Sequence, residues 1–447
     1  MSEQVDILPR HQYDAFLKQL PKDWEQKEIK QIGAVIGGST PSRDVPSFWR
    51  GSIPWVTPGE VSGEGAKLLH DTNDHISASG LAGSGANLLP AGSLLVTTRA
   101  TLGARVINAV PMATNQGFKS VVFKKPEEAS YYFHLFEMVK PELVRRASGT
   151  TFLEISGAEF GSIKVPSPSP NEKLKIAQIL DTFNTAIHET EAIIAKLKAL
   201  KQGLLQDLLT RGIDANGELR PPQSEAPHLY KYSPLGWIPQ EWRCDRLADV
   251  IDVQLGFAFS SHDYVDDGVL SFRVTNIGQP SNDLGGVVKL PKDFLEKFPK
   301  QRLEGGEIMI VMVGATTGKM GRVPHAVCPA LQNQNMWNLV PKANLDRDFA
   351  WMALPILVER HLKQAQGSAR DFLTQSAFLV EYLAVPPLSE QTVLTHGLSA
   401  IDSRLENENG IAEKLRIQKM GLMDDLLTGR IRVTQLLDEV AQRQGDD

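Results

Sequence analysis

The chain is written twice, and that duplication limits its folds more than any other feature. Pro21-Lys-Asp-Trp24 recurs as Pro239-Gln-Glu-Trp242, 218 positions on. The same offset carries Gly38 onto Gly256, Val56-Thr57 onto Val274-Thr275, Asn115-Gln116 onto Asn333-Gln334 and Gly149 onto Gly367. It also carries Gly203-Leu-Leu-Gln-Asp-Leu-Leu-Thr210 onto Gly421-Leu-Met-Asp-Asp-Leu-Leu-Thr428. A single shared dipeptide is weak evidence, but a series in register across a whole half-chain defines a tandem repeat. A length of 447 residues then means one plan used twice, not three unrelated domains.

Each copy has two parts. The first carries short apolar runs, such as Ser93-Leu-Leu-Val-Thr97, Ala104-Arg-Val-Ile107 and Lys119-Ser-Val-Val-Phe123, punctuated by Gly, Pro and Asn. That is the pattern of a strand-rich domain. A helical stretch from Tyr131 to Arg146 interrupts it, and copy two repeats the plan with Leu303 to Met312, Trp337 to Val340 and a helical stretch from Phe349 to Gln366. The second part is a long helix. It is entered after Val165-Pro-Ser-Pro-Ser-Pro170 in one copy and after Val385-Pro-Pro-Leu388 in the other, prolines that restrict the incoming chain and mark a boundary.

The spacing inside these helices is the sharpest local signal. Ile176, Leu180, Phe183, Ile187, Thr190, Ile194, Leu197, Lys201, Leu204 and Leu208 follow steps of four and three without a slip. The second copy reads Leu394, Leu398, Ile401, Leu405, Glu408, Ala412, Leu415, Lys419, Leu422 and Leu426. A sustained period of about 3.5 residues is a coiled-coil seam. Amphipathic helices packed each on its own domain would show a similar period. The interruptions at matching places, Thr190/Glu408 and Lys201/Lys419, favour helices packed on each other.

Two similar halves can close by a pseudo-twofold axis, as a symmetric dimer does. Such an axis makes the helices antiparallel and sends the strand-rich domains to opposite ends. The 32 steps from Ile176 to Leu208 span about 48 Å at ~1.5 Å per residue. Residues 1–212 alone should then dimerise through their helix.

The expected class is α+β: two strand-rich domains separated by a pair of long antiparallel coiled-coil helices, with internal pseudo-twofold symmetry. The divisions are an N-terminal extension (1–20), a first head (21–165), a first spacer helix (166–212) and a linker (213–238). A second head (239–385), a second spacer helix (386–430) and a tail (431–447) complete the chain.

Composition excludes several classes. With 42% apolar and 22% charged residues the chain is an ordinary globular protein. Two cysteines, Cys244 and Cys328, make neither a disulfide framework nor a four-cysteine zinc site, and they suit a reducing cytoplasm. The uncharged stretch from Ile76 to Thr98 is broken by glycines, Pro90 and serines, which reads as loop and strand and not as a membrane helix.

No catalytic motif survives inspection. Gly314-Ala-Thr-Thr-Gly318-Lys319-Met320 is one residue short of a phosphate loop and has Met where Ser or Thr would bind magnesium; a tight turn between strands fits better. The histidines are scattered, and neither a metal-binding nor a serine-nucleophile signature is present. Neither a catalytic nor a metal-binding residue is expected.

The order of these features resembles a known family. A strand-rich domain opening on Pro-x-x-Trp, a proline-marked heptad helix ending in Leu-Leu-Gln-Asp-Leu-Leu-Thr, and the repetition of the whole resemble the DNA-specificity subunits of type I restriction-modification systems. Gly236-Trp-Ile-Pro239 and the ending Asp425-Leu-Leu-Thr-Gly-Arg-Ile-Arg-Val433 belong to the same pattern, and the resemblance covers residues 21–433. It implies a cytoplasmic subunit without catalysis or cofactor of its own. Each head would be a target-recognition domain reading one half of a split, asymmetric site in double-stranded DNA. The helices would set the spacing and dock two methyltransferase subunits. S-adenosylmethionine, ATP and Mg would belong to partner subunits, one of them a restriction motor-nuclease, and no membrane would be involved.

Base reading calls for Arg or Lys at guanine, Asn or Gln at adenine, and small hydroxyls. The candidates are Arg43, Arg50, Arg99, Arg105, Asn115, Gln116, Lys119 and Thr151 in the first head. In the second they are Arg273, Asn276, Lys319, Arg322, Asn333, Gln334 and Arg370. Asn115-Gln116 and Asn333-Gln334 fit a shared turn equally well because both copies keep them. Arg43, Arg50 and Arg99 are the better specificity candidates, since Arg43-Asp-Val-Pro-Ser-Phe-Trp49-Arg50 has no counterpart around Ser261-His-Asp-Tyr264.

The net charge of −6 sits mainly in residues 386–447, leaving the heads at +1 (21–165) and −2 (239–385). Such heads lack the bulk attraction to phosphates that gives non-specific affinity, so a more basic partner is expected to help hold the duplex. The rival expectation is a coiled-coil interaction scaffold that never touches nucleic acid.

Overall fold

The computed structural model describes residues 10–61, 67–99, 101–148, 153–278, 287–365 and 373–437. The chain divides into two compact units, Met1–Ile193 with Glu408–Asp447, and Ile194–Asn407. The divisions fall inside both long helices, which run Pro170–Thr210 and Leu388–Leu427. Each unit therefore contains one head together with a piece of both spacer helices.

In the first unit a five-stranded sheet runs in the order Gly33–Gly37, Phe118–Phe123, Leu94–Thr97, Arg105–Asn108 and Leu68–Leu69. Its central strand Leu94–Thr97 is apolar on both faces because both are covered. Leu94 and Val96 pack in the core that holds the helix Ala129–Arg146, whereas Leu95 joins Val56, Met112 and Phe118 in a smaller one. The second layer is a three-stranded sheet of His75–Ile76, Trp49–Val56 and Ala113–Thr114, the last pair parallel. The larger core also takes in Tyr13 and Leu17 of an N-terminal helix (Arg10–Gln19), Ile176 and Leu180 of the first spacer helix, and Leu426 and Leu427 of the second.

The second unit repeats this plan, but among the described residues it has no strand equivalent to Leu68–Leu69, and the Leu89–Met112 bridge of the first unit is lengthened into the pairing of Arg302–Leu303 with Ala330–Gln332. Its sheets run Ile251–Leu255, Met336–Pro341, Ile308–Val311, Met320–Arg322, and Lys289–Leu290, Val269–Phe272, Ala330–Gln332, Arg302–Leu303. The helix Arg347–Ala365 covers the first sheet, and Leu208 of the first spacer helix joins Leu394 and Leu398 of the second in the same core. The loop Gly314–Lys319 is the turn between strands Ile308–Val311 and Met320–Arg322, with the Gly318 amide donating to the Val311 carbonyl at 2.8 Å.

One sequence match is a slip. The Asn115 amide donates to the Val56 carbonyl at 3.0 Å, and the Asn333 amide to that of Phe272 at 2.9 Å. Val56-Thr57 therefore corresponds in space to Phe272-Arg273, not to Val274-Thr275. The segment before it is two residues longer in the first copy, and the dipeptide match arose by chance. The Asn-Gln turn, by contrast, is equivalent in both heads. A β-carbon on Gly38 would lie 1.9 Å from the Asn115 carbonyl oxygen, and one on Gly256 1.9 Å from that of Asn333, so only glycine lets the crossing strand pass.

All twenty seam positions read from the heptad are buried or half-buried. Within the first unit the helices run antiparallel, with Arg416 of the second on Glu191 of the first at 2.5 Å, while Arg432 beyond the second helix reaches Glu172 near the start of the first. Within the second unit Lys201 pairs with Asp402, while Glu390 accepts from the Ile213 amide at 2.9 Å. Lys201, an interruption of the apolar seam, is thus held by an acid on the facing helix.

Both units close on the same kind of latch. In the second, Glu390 accepts from Arg220 at 2.5 and 3.1 Å and from the Trp242 indole at 3.0 Å, beside Gly212 in the left-handed region at φ +61°. In the first, Arg432 donates to Glu172 at 2.7 and 2.9 Å and to Asp23 at 2.8 and 3.0 Å, with its guanidinium 5.7 Å from the Trp24 ring. There Gly429 has φ +71°. The repeated Pro-x-x-Trp is explained: each tryptophan packs where the spacer helix of the other sequence copy ends. Glycine is required because a β-carbon would lie 2.5 Å from the Trp242 ring or from Pro21.

Candidate nucleic-acid interface

The first head presents its polar groups on the loop from Gly38 to the bulged strand Trp49–Val56. Trp49 and Ile53 both face Ile76, so Arg50-Gly-Ser52 bulges out and Arg50 sits at φ +58° with its side chain exposed. A bulge re-aims a side chain, and a non-glycine residue at positive φ is the kind of strain found at functional sites. Arg43 stacks 3.6 Å over the Trp49 ring and pairs with Asp74 at 2.6 Å. The Trp49 indole donates to the Ser42 carbonyl at 3.0 Å, and the Trp55 indole to that of Ser39 at 3.0 Å. Thr40 donates to Gln116, which joins this loop to the Asn-Gln turn. Arg43, Thr40 and Gln116 therefore belong to one connected surface.

The other candidates of this head are placed differently. Arg99 and Lys119 both reach Glu154, at 3.9 and 3.6 Å, so their charge is partly offset. Asn115 accepts from the Gly117 amide at 2.8 Å and shapes the turn. Arg105 is a correction: it is half-buried against the helix Ala129–Arg146, paired with Glu137 at 2.8 Å and donating to the Phe133 carbonyl, so its donors are engaged within the head. Thr151 lies outside the described residues.

In the second head Gln334 and Lys319 are exposed, and Arg273 is half-buried. Asn276 and Asn333 are corrections of the same kind. Asn276 is buried and accepts from the Arg273 amide at 2.9 Å, capping a short turn, while buried Asn333 donates to Ser271 at 3.2 Å. Arg322 is half-buried, paired with Asp348 at 2.5 Å and lying 5.3 Å from the Trp351 ring. Arg370 lies outside the described residues.

Residue-type reasoning missed two groups here. Phe257, 43% exposed, heads a cluster with Phe259, Phe294 and Phe298 and bonds through its amide to the Gln332 carbonyl beside the Asn-Gln turn. The run Gly256-Phe-Ala-Phe259 was its signal. Asp74, which holds Arg43, had none, being 31 residues away in sequence.

The family described as type I restriction modification DNA specificity domain matches residues 21–199 and 239–416, one match per copy. The chain belongs to that family and is a DNA sequence-recognition subunit. A type I restriction enzyme MjaIX specificity subunit from Methanocaldococcus jannaschii is 26% identical over 430 residues, covering 93% of this chain and 95% of that protein. The MjaVIII specificity subunit of the same organism is 25% identical over 431 residues, with the same coverage. In fold, the chain is similar to the type I restriction-modification S subunit from M. genitalium, with TM-score 0.58, 13% identity, and 91% and 98% of the two chains covered.

Proposed function

We propose that this chain supplies only the address in a type I restriction-modification complex. Each head reads one half of a split, asymmetric sequence in double-stranded DNA, and the helix pair sets the gap and docks two methyltransferase subunits. A restriction motor-nuclease subunit completes the assembly. Adenine methylation with S-adenosylmethionine, and ATP- and Mg-dependent cleavage, are chemistry of those partners, and the complex works in the cytoplasm. The DNA contacts are assigned to Arg43, Arg50, Arg99, Gln116 and Lys119 in the first head and to Arg273, Lys319, Arg322 and Gln334 in the second.

The observation that carries the reading is a shared scaffold with unlike surfaces. Both heads keep the same two-layer sheet plan, the same Asn-Gln turn and the same kind of latch, yet the Arg43–Trp49–Asp74 group stands on one and a phenylalanine cluster on the other. Unlike surfaces on like scaffolds suit unlike half-sites. Co-production with modification subunits, followed by mapping of modified adenines, tests it. The expected result is one bipartite word with two different halves. A palindromic word, or modification by the chain alone, would count against the reading.

A further inference from the structure

We infer that Arg43 reads a guanine in the half-site met by the first head, with Trp49 and Asp74 as positioning residues. The inference rests on the recognition role above and gives it a side chain and a base. Arginine matches guanine through two parallel donors to O6 and N7, the commonest specific contact in the major groove. A free arginine must lose rotamer freedom to make that contact, and a guanidinium fixed beforehand loses less.

Arg43 is fixed from two sides. Its guanidinium carbon lies 3.6 Å from the centroid of the Trp49 ring, and one Nη2 contact at 2.6 Å ties it to Asp74. Trp49 is in turn held by its indole bond to Ser42 and by an edge-on contact with Trp55, ring centroids 5.0 Å apart at 89°. Trp55 is 3% exposed, so the chain of supports starts in a core and ends at the surface. The Arg43 side chain nevertheless stays 57% exposed. Four of the five N–H donors of a guanidinium are left over after one is given to Asp74. An exposed ion pair by itself contributes little to stability, which does not account for a support of two tryptophans.

The arrangement is also confined to one head. The corresponding stretch of the second is the short turn Ser261–Asp263, followed by Asp266 and Asp267, with no arginine. A side chain that distinguishes two half-sites must differ between them, and this one does. Arg50, exposed on the neighbouring bulge, adds positive charge next to it.

The experiment uses the full chain in complex with its modification subunits, selecting from a pool of random duplexes, with the R43K, R43A, D74N and D74E variants. R43K keeps the charge and loses the fork. It and R43A are expected to relax one G·C position of the first half-site by about ten- to a hundredfold. The second half-site, read in the same molecules, stays unchanged and reports that the fold is intact. D74N should relax the same position to a smaller extent and D74E restore it, which a merely structural role would not produce. The inference is overturned if R43K keeps the full preference, or if R43A weakens every sequence alike with a shallower salt dependence, as loss of a phosphate contact would. A wild-type complex that selects no word would instead overturn the recognition reading itself.

Discussion

The two units attach head to helix at the same positions with different chemistry. In the first, Lys173 of the spacer helix is buried in an ion pair with Glu128 at 2.7 Å, its side chain 4% exposed. Nearby, Asp181 gathers Lys67 at 2.7 Å, Ser130 at 2.8 Å and His134 at 2.8 Å. In the second unit the residue 218 positions after Lys173 is Gln391, a neutral amide. It accepts from the Asp346 amide at 2.7 Å and donates to the Asn344 and Pro386 carbonyls at 3.1 and 2.8 Å. Met352 and Ser399 stand where His134 and Asp181 would be. The repeat preserves where the junction is tied, while the tie itself is ionised in one copy and neutral in the other. A buried ion pair adds little over a neutral alternative but is costly to leave half-made.

That difference is broken most directly by one substitution on each side. Lys173→Met should destabilise the first unit by up to about 3–5 kcal/mol, because buried Glu128 keeps only Lys125, 3.9 Å away. Gln391→Met should cost the second about 1–3 kcal/mol. Denaturant unfolding followed by hydrogen exchange in each unit measures both, and equal costs would remove the distinction. The latches, where the two units agree, lead to a smaller effect. Residues 1–225 contain Arg220, which in a dimer would reach Glu172 of a second copy as Arg432 does in the intact chain; residues 1–212 do not. The shorter fragment should self-associate more weakly by about tenfold or more. Sedimentation of the two fragments decides it, and equal association would mean that the seam alone holds the helices.

Acid should separate the units next. Burial pushes the Asp181 carboxyl up, but its bonds from His134, Lys67 and Ser130 outweigh that and bring it down to about 2. Burial holds His134 below its ordinary value, partly opposed by Asp181 and helped by the nearby charges of Lys419 and Arg105. Both depressed groups bind fewer protons folded than unfolded, so both stabilise less as pH falls. The first unit should lose protection progressively below about pH 6.5, the ordinary histidine value, and further towards pH 2, where Asp181 protonates. Exchange rates for the two units across that range provide the check, with the second expected to change less. The smallest effect is at the seam. Lys201 and Asp402 are half-exposed, so Lys201→Ala should cost at most about 1 kcal/mol.

The sequence made the periodic parts legible and left the long-range ones hidden. The heptad steps fall on positions that are all buried or half-buried, and the prolines mark both helix entries, because those signals are local. The latches were not readable. Arg220 lies 170 residues from Glu390, and the two latch arginines stand at unequal distances beyond Gly212 and Gly429. The same limit explains the interface. Asn276 and Asn333 have the residue types that read bases, but packing buries them, and Arg105 is half-buried on Glu137, whereas exposed Arg43 gains its order from Trp49 and from Asp74, 31 residues away.

The shared packing of the first helix and the segment beyond the second spacer helix has a genetic consequence. Tyr13 and Leu17 share the first unit's core with Val433 and Leu437. The helix Arg10–Gln19 and the segment after the second spacer helix are therefore packed in one core. Linking the segment after Leu437 to the helix Arg10–Gln19 and cutting beside exposed Ser224 and Glu225 would give a circular permutant that starts with the second head. Both latches would survive the rearrangement. Which head is encoded first is then a matter of gene order and not of folding.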